Sequence, residues 1–516
     1  MSNSQACDAR LRSSMLAAVC LAALILPLSF SAGAIATPAI GLALHSGPMA
    51  LNWITNAFML TFGSCLMAAG TLADRWGRKR MFLSGVAAFT GVAVLLAGAP
   101  NMVCLDLLRA AQGVAAAAAL AGGSAALAQE FDGHARTRAF ALLGMTFGAG
   151  LAFGPILAGG LIQVLGWRAV FLSAALIGAC SWLLAVTCMR ETRSPTAPRL
   201  DWQGMASFTA ALGLFTVAIL EWPELGWRNP IFLTLLLAAG VALGAFVSIE
   251  RHTAQPMLEL ALLRYPRFIG VQLLPLATCY CYVVLLVILP QRFVGVEEHA
   301  PLAAGLMMTA LSAPILVMPL LAISLSRQVS PGTISGCGLL LAAVGLQWLG
   351  SIPVGAAPAA ILWPMLLIGV GAGLPWGLMD GLAISVVPKE RAGLAAGIFS
   401  TTRVAGEGLA LAIVSALLST LAQFHLHGAL PQADSNQSDL IVEAAQSLAT
   451  GQLAQATTLL PSLGRLFLIK VYTEAFRSLC HVLSATTVIS ALAVFGFLSR
   501  RHTPATGYDP GNIVET

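Results

Sequence analysis

Four side chains stand inside otherwise apolar stretches of this 516-residue sequence and are suited to carry charge or protons: Arg109, Asp380, Arg403 and Glu407. Arg109 lies in Leu105-Asp106-Leu107-Leu108-Arg109-Ala110-Ala111-Gln112-Gly113, and Gln112, three residues on, shares its helical face. Glu407 follows Arg403 by four residues, a spacing at which the two can pair. Asp380 sits in Leu374-Pro375-Trp376-Gly377-Leu378-Met379-Asp380-Gly381, an irregular helix by its Pro and Gly, and Asp106 lies nearer the end of its run. An arginine in hydrocarbon is costly unless it faces a cavity or a partner. A carboxyl there can take up a proton when desolvated and release it when hydrated. Asp380 and Glu407 can therefore carry a coupling proton, bind a cationic substrate, or form a buried structural pair. Arg109 can serve a proton pathway together with Gln112, or be tied to backbone carbonyls for structure.

The elements that hold these side chains are membrane helices. The chain is 58% hydrophobic and 9% charged, with a mean hydropathy of +0.85. A soluble domain is about 25% charged. The net charge of +5 does not point to nucleic acid, because the positive residues are spread over loops. The ten cysteines are scattered without zinc or redox spacing and read as small buried hydrophobes. No metal and no cofactor is expected. No paired His cluster, nucleophile turn or phosphate loop appears, so an enzyme is not expected either. The first apolar run, after Arg10 and Arg12, continues to Ile40, longer than the core of a signal peptide, and is expected to be retained.

A spanning helix needs about 20 apolar residues. Fourteen segments qualify: 14–38, 51–72, 81–98, 103–127, 139–164, 167–188, 202–220, 230–249, 268–290, 302–324, 332–350, 358–387, 393–421 and 479–499. Between the second and third lies a short turn, Gly70-Thr71-Leu72-Ala73-Asp74-Arg75-Trp76-Gly77-Arg78-Lys79-Arg80, whose basic charge places it on the cytoplasmic side. Counting Lys and Arg over the alternating loops gives about nineteen on that side against six on the other, among them Arg292, Arg465, Lys470 and Arg477. Both termini are then cytoplasmic, and only Arg109 and Arg403 remain inside the membrane. One long outer loop, near 423–477, carries a polar stretch and then an amphipathic helix with Ser438 as cap and Leu440, Ala444 and Leu448 on one face. Pro319–Arg327 weakly echoes the basic turn, with Ser324 in the place of Asp74. The expected architecture is all-α and integral to the membrane. A six-helix bundle (1–200) and a second one (267–500) are joined by two linker helices (201–266), and a cytoplasmic tail (501–516) follows.

Two glycine patterns stand out. In the basic turn, Gly70 and Gly77 permit close approach and a tight reversal, and Asp74 can cap the next helix or pair with an arginine at the inner face. Such a pair is cheap to break and suits a latch between two conformations; the alternative is that the turn only fixes topology. In the fifth segment, Gly144, Gly148, Gly150, Gly154 and Gly159 make a groove for another backbone, and Pro155 bends the helix.

The turn, with Gly70, Leu72, Asp74, Arg75, Gly77, Arg78 and Lys79 in register, resembles the signature loop of the major facilitator superfamily. Arg109 and Gln112 resemble its helix 4 motif, whose Arg is implicated in proton coupling, and the fifth segment resembles its antiporter motif. Gly166-Trp167-Arg168, Leu200-Asp201-Trp202 and Leu225-Gly226-Trp227 are similar to stretches of the fourteen-helix drug:proton antiporters. The resemblance covers all fourteen segments. It implies a monomeric multidrug efflux transporter of a bacterial inner membrane that exports amphipathic organic molecules by proton antiport. The substrate would bind between the halves near the midplane, where Trp376, Tyr280 and Tyr282 can line the cavity or instead anchor at the lipid interface. The sequence departs from the family at Ser29, the place of the usual helix-1 acid, and Asp380 and Glu407 are the expected replacements. Two other readings stay open: a dedicated exporter of one endogenous metabolite, and a sensor or scaffold on a transporter fold.

Overall fold

Most helices of the protein begin where the chain itself prevents an earlier start. Pro48, Pro230, Pro266, Pro301, Pro314, Pro331 and Pro358 each open a helix, where a missing N–H is harmless. Asn101 and Asp201 cap two further helices, and Asn229 and Ser330 cap those that Pro230 and Pro331 open, each by accepting a backbone N–H, for example Gly204 N–H to Asp201 Oδ1 at 2.8 Å. The computed structural model describes residues 3–131, 133–193, 201–226, 228–253, 265–386, 392–429 and 435–498, and among these there is no strand. Leu200, Trp227, Pro431–Asp434 and the tail 501–516 lie outside the described residues.

Fourteen spans are long and apolar enough to cross a membrane, and they match the fourteen expected segments in order. The first bundle holds α1 (Asn3–Leu44), α2 (Pro48–Trp76), α3 (Arg78–Ala97), α4 (Met102–Glu130), α5 (Gly133–Leu165) and α6 (Arg168–Cys188). The inserted pair is α7 (Trp202–Leu225) and α8 (Pro230–His252), with α7 lying against α2. The ninth span joins α9 (Pro266–Thr278) and α10 (Leu285–Pro290) through two π-helical stretches, Cys279–Val283 and Gln291–Val296. The tenth is α11 (Pro301–Ser312) continued by α12 (Pro314–Leu325). The remaining spans are α13 (Pro331–Gly350), α14 (Pro358–Ser385), α15 (Ala392–Ala429) and α18 (Arg465–Leu498), with the short α16 (Ser435–Ala449) and α17 (Leu453–Leu459) between the last two. The protein is thus two six-helix bundles with two linker helices. The end carrying the α2–α3 turn is called the basic end below, and the end carrying α16 and α17 the loop end.

Two boundaries differ from expectation. The last span begins at Arg465, so Lys470 and Arg477 sit on a helix and not in a loop. Its 34 residues make about 51 Å, against about 30 Å of hydrocarbon, so its polar first turns can project beyond the apolar layer. α16 begins at Ser435, which puts Ser438 inside the helix. Its buried face is Ile441, Ala444, Ala445 and Leu448, and Leu440 is exposed, because the helix packs on α15, α2 and α7.

The two bundles meet along α5–α11 and α2–α15. A methyl group at Gly159 would overlap the Pro301 backbone, one at Gly305 the Pro155 carbonyl, and one at Gly63 would come within 2.8 Å of the Ala405 nitrogen. Gln452, just before α17, donates from Nε2 to the Ser46 carbonyl at 3.2 Å and so spans both bundles at the loop end. All these contacts lie between the middle of the spans and the loop end. Toward the basic end the bundles part: a methyl at Gly144 or Gly397 would meet nothing within 4 Å, and Phe140, Leu142 and Met145 of α5 are exposed, as are Leu320, Leu321 and Ile323 of α12.

This asymmetry predicts opposite effects for one substitution at two places. Gly159→Ala overpacks the closed seam and is expected to cost about 1–3 kcal/mol, whereas Gly144→Ala, in open space on a helix, is expected to be neutral or to stabilise by up to about 1 kcal/mol. Thermal unfolding of the purified variants checks the pair, and equal shifts would show that the seam is not closed as described.

Candidate functional site

The basic turn is tied to its own bundle. Gly77 takes φ 118°, a conformation that favours glycine, and sets the reversal between α2 and α3. Arg78 reaches back one helical turn to Asp74, with Nη2 and Nε at 2.9 and 3.1 Å from Oδ1, and donates through Nη1 to Gln129 Oε1 at 2.7 Å. Asp74 therefore pairs with Arg78 and does not cap α3, whose cap is Gly77. The Arg78 N–H donates to the Thr192 carbonyl, and the Arg80 N–H to Glu191 Oε2. Arg75 is exposed. Gly70, expected to permit close approach, has open space where a side chain would stand. The other glycines divide their work: Gly150 and Gly154 admit α1 at Pro27 and Ser31, while Gly148 and Gly159 face the tenth span at Ile315 and Pro301.

Arg109 is fully buried in the first bundle. Its Nε donates to the Ile54 carbonyl at 2.8 Å, and Nη1 donates to Gln112 Oε1 at 2.6 Å and to Ser29 Oγ at 3.3 Å. The guanidinium carbon lies 4.6 Å from the centre of the Phe58 ring. One side chain of α4 thus joins α1 and α2 through neutral acceptors. Arg109 Nη2, Gln112 Nε2 and Asp106 Oδ1 are buried without a hydrogen-bond partner. Ser29, which stands where the resemblance puts an acid, contributes a hydroxyl to this cluster.

In the second bundle Arg403 turns to Asp380 of α14, Nη1 to Oδ1 at 3.4 Å, and not to Glu407 of its own helix. Asp380 is 61% exposed, and Arg403 also lies over the Phe399 ring at 5.8 Å. Asp380 is five residues from the end of α14, about 8 Å by helical rise, so it stands near the basic end, where the bundles part. Glu407 is half-buried on the stretch of α15 that packs against α2, beside Gly408, whose added methyl would approach Met59. Tyr282 and Trp376 make an edge-to-face contact at 5.9 Å, with Tyr282 fully buried and Tyr280 half-buried.

Arg292 was expected in an outer loop. It lies instead in the π-helical end of the ninth span and is fully buried. The cause is local: in the π-helical register the Glu297 N–H reaches the carbonyl of Arg292, five positions back, at 2.9 Å and brings the two side chains together. Arg292 Nε donates to Glu297 Oε1 at 2.8 Å, and His299 Nε2 lies 3.2 Å from Glu297 Oε2. Arg292 Nη2 donates to the Pro353 carbonyl at 3.2 Å, and the guanidinium lies 4.7 Å from the Phe476 ring. The cluster fastens the ninth span to the α13–α14 turn and to α18. Its sequence signal was an Arg with a Glu close behind it and no turn residue between Pro290 and Val294.

Comparison with known proteins places this geometry. A profile of the Major Facilitator Superfamily matches residues 19–411. The chain is 29% identical over 403 residues to the multidrug resistance protein Stp of Mycobacterium tuberculosis (strain CDC 1551 / Oshkosh), covering 77% of this chain and 75% of that one. It is 31% identical over 400 residues to the drug efflux pump JefA of the same strain, covering 77% and 78%. Among solved structures it is similar to a bacterial homolog of the human lysosomal transporter Spinster in an inward-facing, unoccupied conformation. The TM-score there is 0.64 at 14% identity, covering 94% and 97% of the two chains, a likeness of fold.

The buried Arg292–Glu297 pair yields a stability prediction. Removing one charge leaves the other unpaired, so Arg292→Met is expected to cost about 3–5 kcal/mol, and adding Glu297→Met is expected to recover much of it. Thermal unfolding of the single and double variants checks this, and additive losses would mean the pair is not coupled.

Proposed function

The chain belongs to the Major Facilitator Superfamily, and we propose that within it the protein is a proton-driven exporter of amphipathic, drug-like organic molecules. It is a multi-pass membrane transporter and not an enzyme. The observation that carries the drug-export reading is identity of about 30% to two drug efflux proteins over some three quarters of each chain. The excess of Lys and Arg supports placing the basic end and both termini in the cytoplasm of a bacterial inner membrane. In that orientation the parted ends of the bundles open inward, and the closed seam bars the far side. We divide the chain into bundles at 1–200 and 267–500 with the linker pair between them, and take it to work as a monomer.

In this reading Asp380 and Glu407 bind the coupling proton or the substrate cation, with Arg403 as their shared counter-ion, and Arg109 with Gln112 serves proton coupling in the first bundle. The tied turn at Asp74 and Arg78 is the half of a latch that the other bundle engages when the basic end closes. Trp376 and Tyr282 supply aromatic surface between α14 and the ninth span.

The test uses proteoliposomes, with ethidium and neutral antibiotics as probes. An imposed pH gradient is expected to drive ethidium transport in the wild type. Asp380→Asn or Glu407→Gln is expected to remove the effect of the gradient. Transport that ignores the gradient would discard proton coupling. Movement of none of the probes would favour a dedicated exporter of one endogenous metabolite.

A further inference from the structure

We propose that Asp106 is the proton-binding group of the first bundle, and that its protonation decides which partners hold Arg109. The role in transport rests on the antiport reading above; the titration itself does not. The first argument is one of inventory. Across residues 13–44, 48–73, 81–97, 102–129, 139–165 and 169–188, the charged side chains are Asp106 and Arg109 alone. The other titratable groups in those stretches are the thiols of Cys20, Cys65, Cys104, Cys180 and Cys188. The helices packed on α4, namely α1, α2, α3 and α5, carry charge only toward the basic end, with Arg12, Asp74, Arg75, Arg78, Lys79, Arg80 and Arg138, so none of them presents a second charge at the depth of Asp106. The other described carboxylates of the first bundle, Asp74, Glu130 and Glu191, also lie at the basic end, so a proton taken up inside the first bundle on a carboxylate falls to Asp106.

The second argument is geometric. Asp106 precedes Arg109 by three residues on the same helix, so the guanidinium has a carboxyl within one turn. Yet Arg109 spends its bonds on the Ile54 carbonyl, Ser29 Oγ and Gln112 Oε1, all neutral acceptors. Asp106 Oδ1 is buried without a hydrogen-bond partner, and so is Arg109 Nη2. An ionised carboxylate beside an arginine in an apolar bundle would take that free donor, because an unpaired buried charge is expensive. The arrangement suits a neutral, protonated Asp106. Asp106 is half-buried, about 6 Å along α4 from the loop end, which places it within reach of water from that side.

The consequence is a switch with two sets of partners. With the proton bound, Arg109 ties α4 to α1 and α2, as described. When the proton leaves Asp106 for water, the new carboxylate draws the guanidinium one turn along α4, and the bonds to Ser29 and Ile54 are released. α1 packs on α10 and on the following π-helical stretch of the second bundle, so loosening α1 acts on the closed part of the seam.

Infrared difference spectroscopy of the purified full-length protein in lipid, titrated with pH, reads the proton without needing a substrate. The wild type is expected to show a protonated-carboxyl component that fades as pH rises and is lost in Asp106→Asn. Asp106→Glu should keep it with a shifted midpoint. Identical carboxyl bands in the wild type and Asp106→Asn overturn the proposal. In proteoliposomes, Asp106→Asn is expected to exchange ethidium at equilibrium while losing the response to a pH gradient. Adding Ser29→Asp returns a carboxylate to Arg109 from the α1 side and should restore part of that response. A retained response in Asp106→Asn overturns the coupling role, and loss of exchange in the Asn and Glu variants alike marks a merely structural one. If wild-type transport ignores the gradient, the antiport reading fails, and the infrared titration still decides whether Asp106 binds the proton.

Discussion

A guanidinium inside hydrocarbon has to be satisfied by its own protein, and much of this structure follows from that constraint. Among the described residues, Arg109 and Arg292 are the two largest fully buried charged side chains, one in each bundle. Each is bonded to backbone carbonyls of neighbouring elements and lies on an aromatic ring, Phe58 for one and Phe476 for the other. Each therefore ties helices that lipid would not drive together, since lipid tails are as apolar as the helix faces. Both lie toward the loop end of their spans. This is the end at which the bundles also meet, so the fastened part of each bundle is the part that forms the closed seam.

Small residues do the complementary work. Without a hydrophobic force between helices, close backbone approach is what gains contact, and glycine permits it. Gly150 and Gly154 bring α5 onto α1 inside one bundle, and Gly159 brings the same helix onto α11 of the other. One helix thus carries two interfaces on two faces. A rigid-body movement at the Gly159 face leaves the α1 face intact, which suits bundles that rock as units. Beyond the contact of Gly148 with Ile315, toward the basic end, Gly144 has nothing to grip.

The helix count and order were legible because fourteen apolar runs separated by Pro, Gly and charge leave little choice of element. The buried Arg109 was legible for the same reason, standing alone in a run of Ala and Leu. Arg292 was not, because it sits at the end of an apolar run, where a loop is the natural reading, and only the π-helical register at Gln291–Val296 turns it inward. The partner of Arg403 was missed on similar grounds. Spacing on one helix favours Glu407, but the choice of Asp380 depends on how α14 lies against α15, and sequence spacing holds no information about that. The start of the last span at Arg465 was hidden by Arg465, Lys470, Glu474 and Arg477, which a hydropathy reading assigns to a loop although they form the polar turns of an overlong helix.

The geometry around Arg403 also sets the two acids of the second bundle apart. Arg403 has two acids within reach, Asp380 through space and Glu407 along its own helix. A single guanidinium on one side chain cannot neutralise both at full strength. Asp380, at the parted end, keeps water as a second source of solvation. Glu407, half-buried on the face toward α2, has less access to water. Arg403 is therefore the link between the exposed acid and the acid at the seam, and the way α14 lies against α15 decides which of the two it bonds.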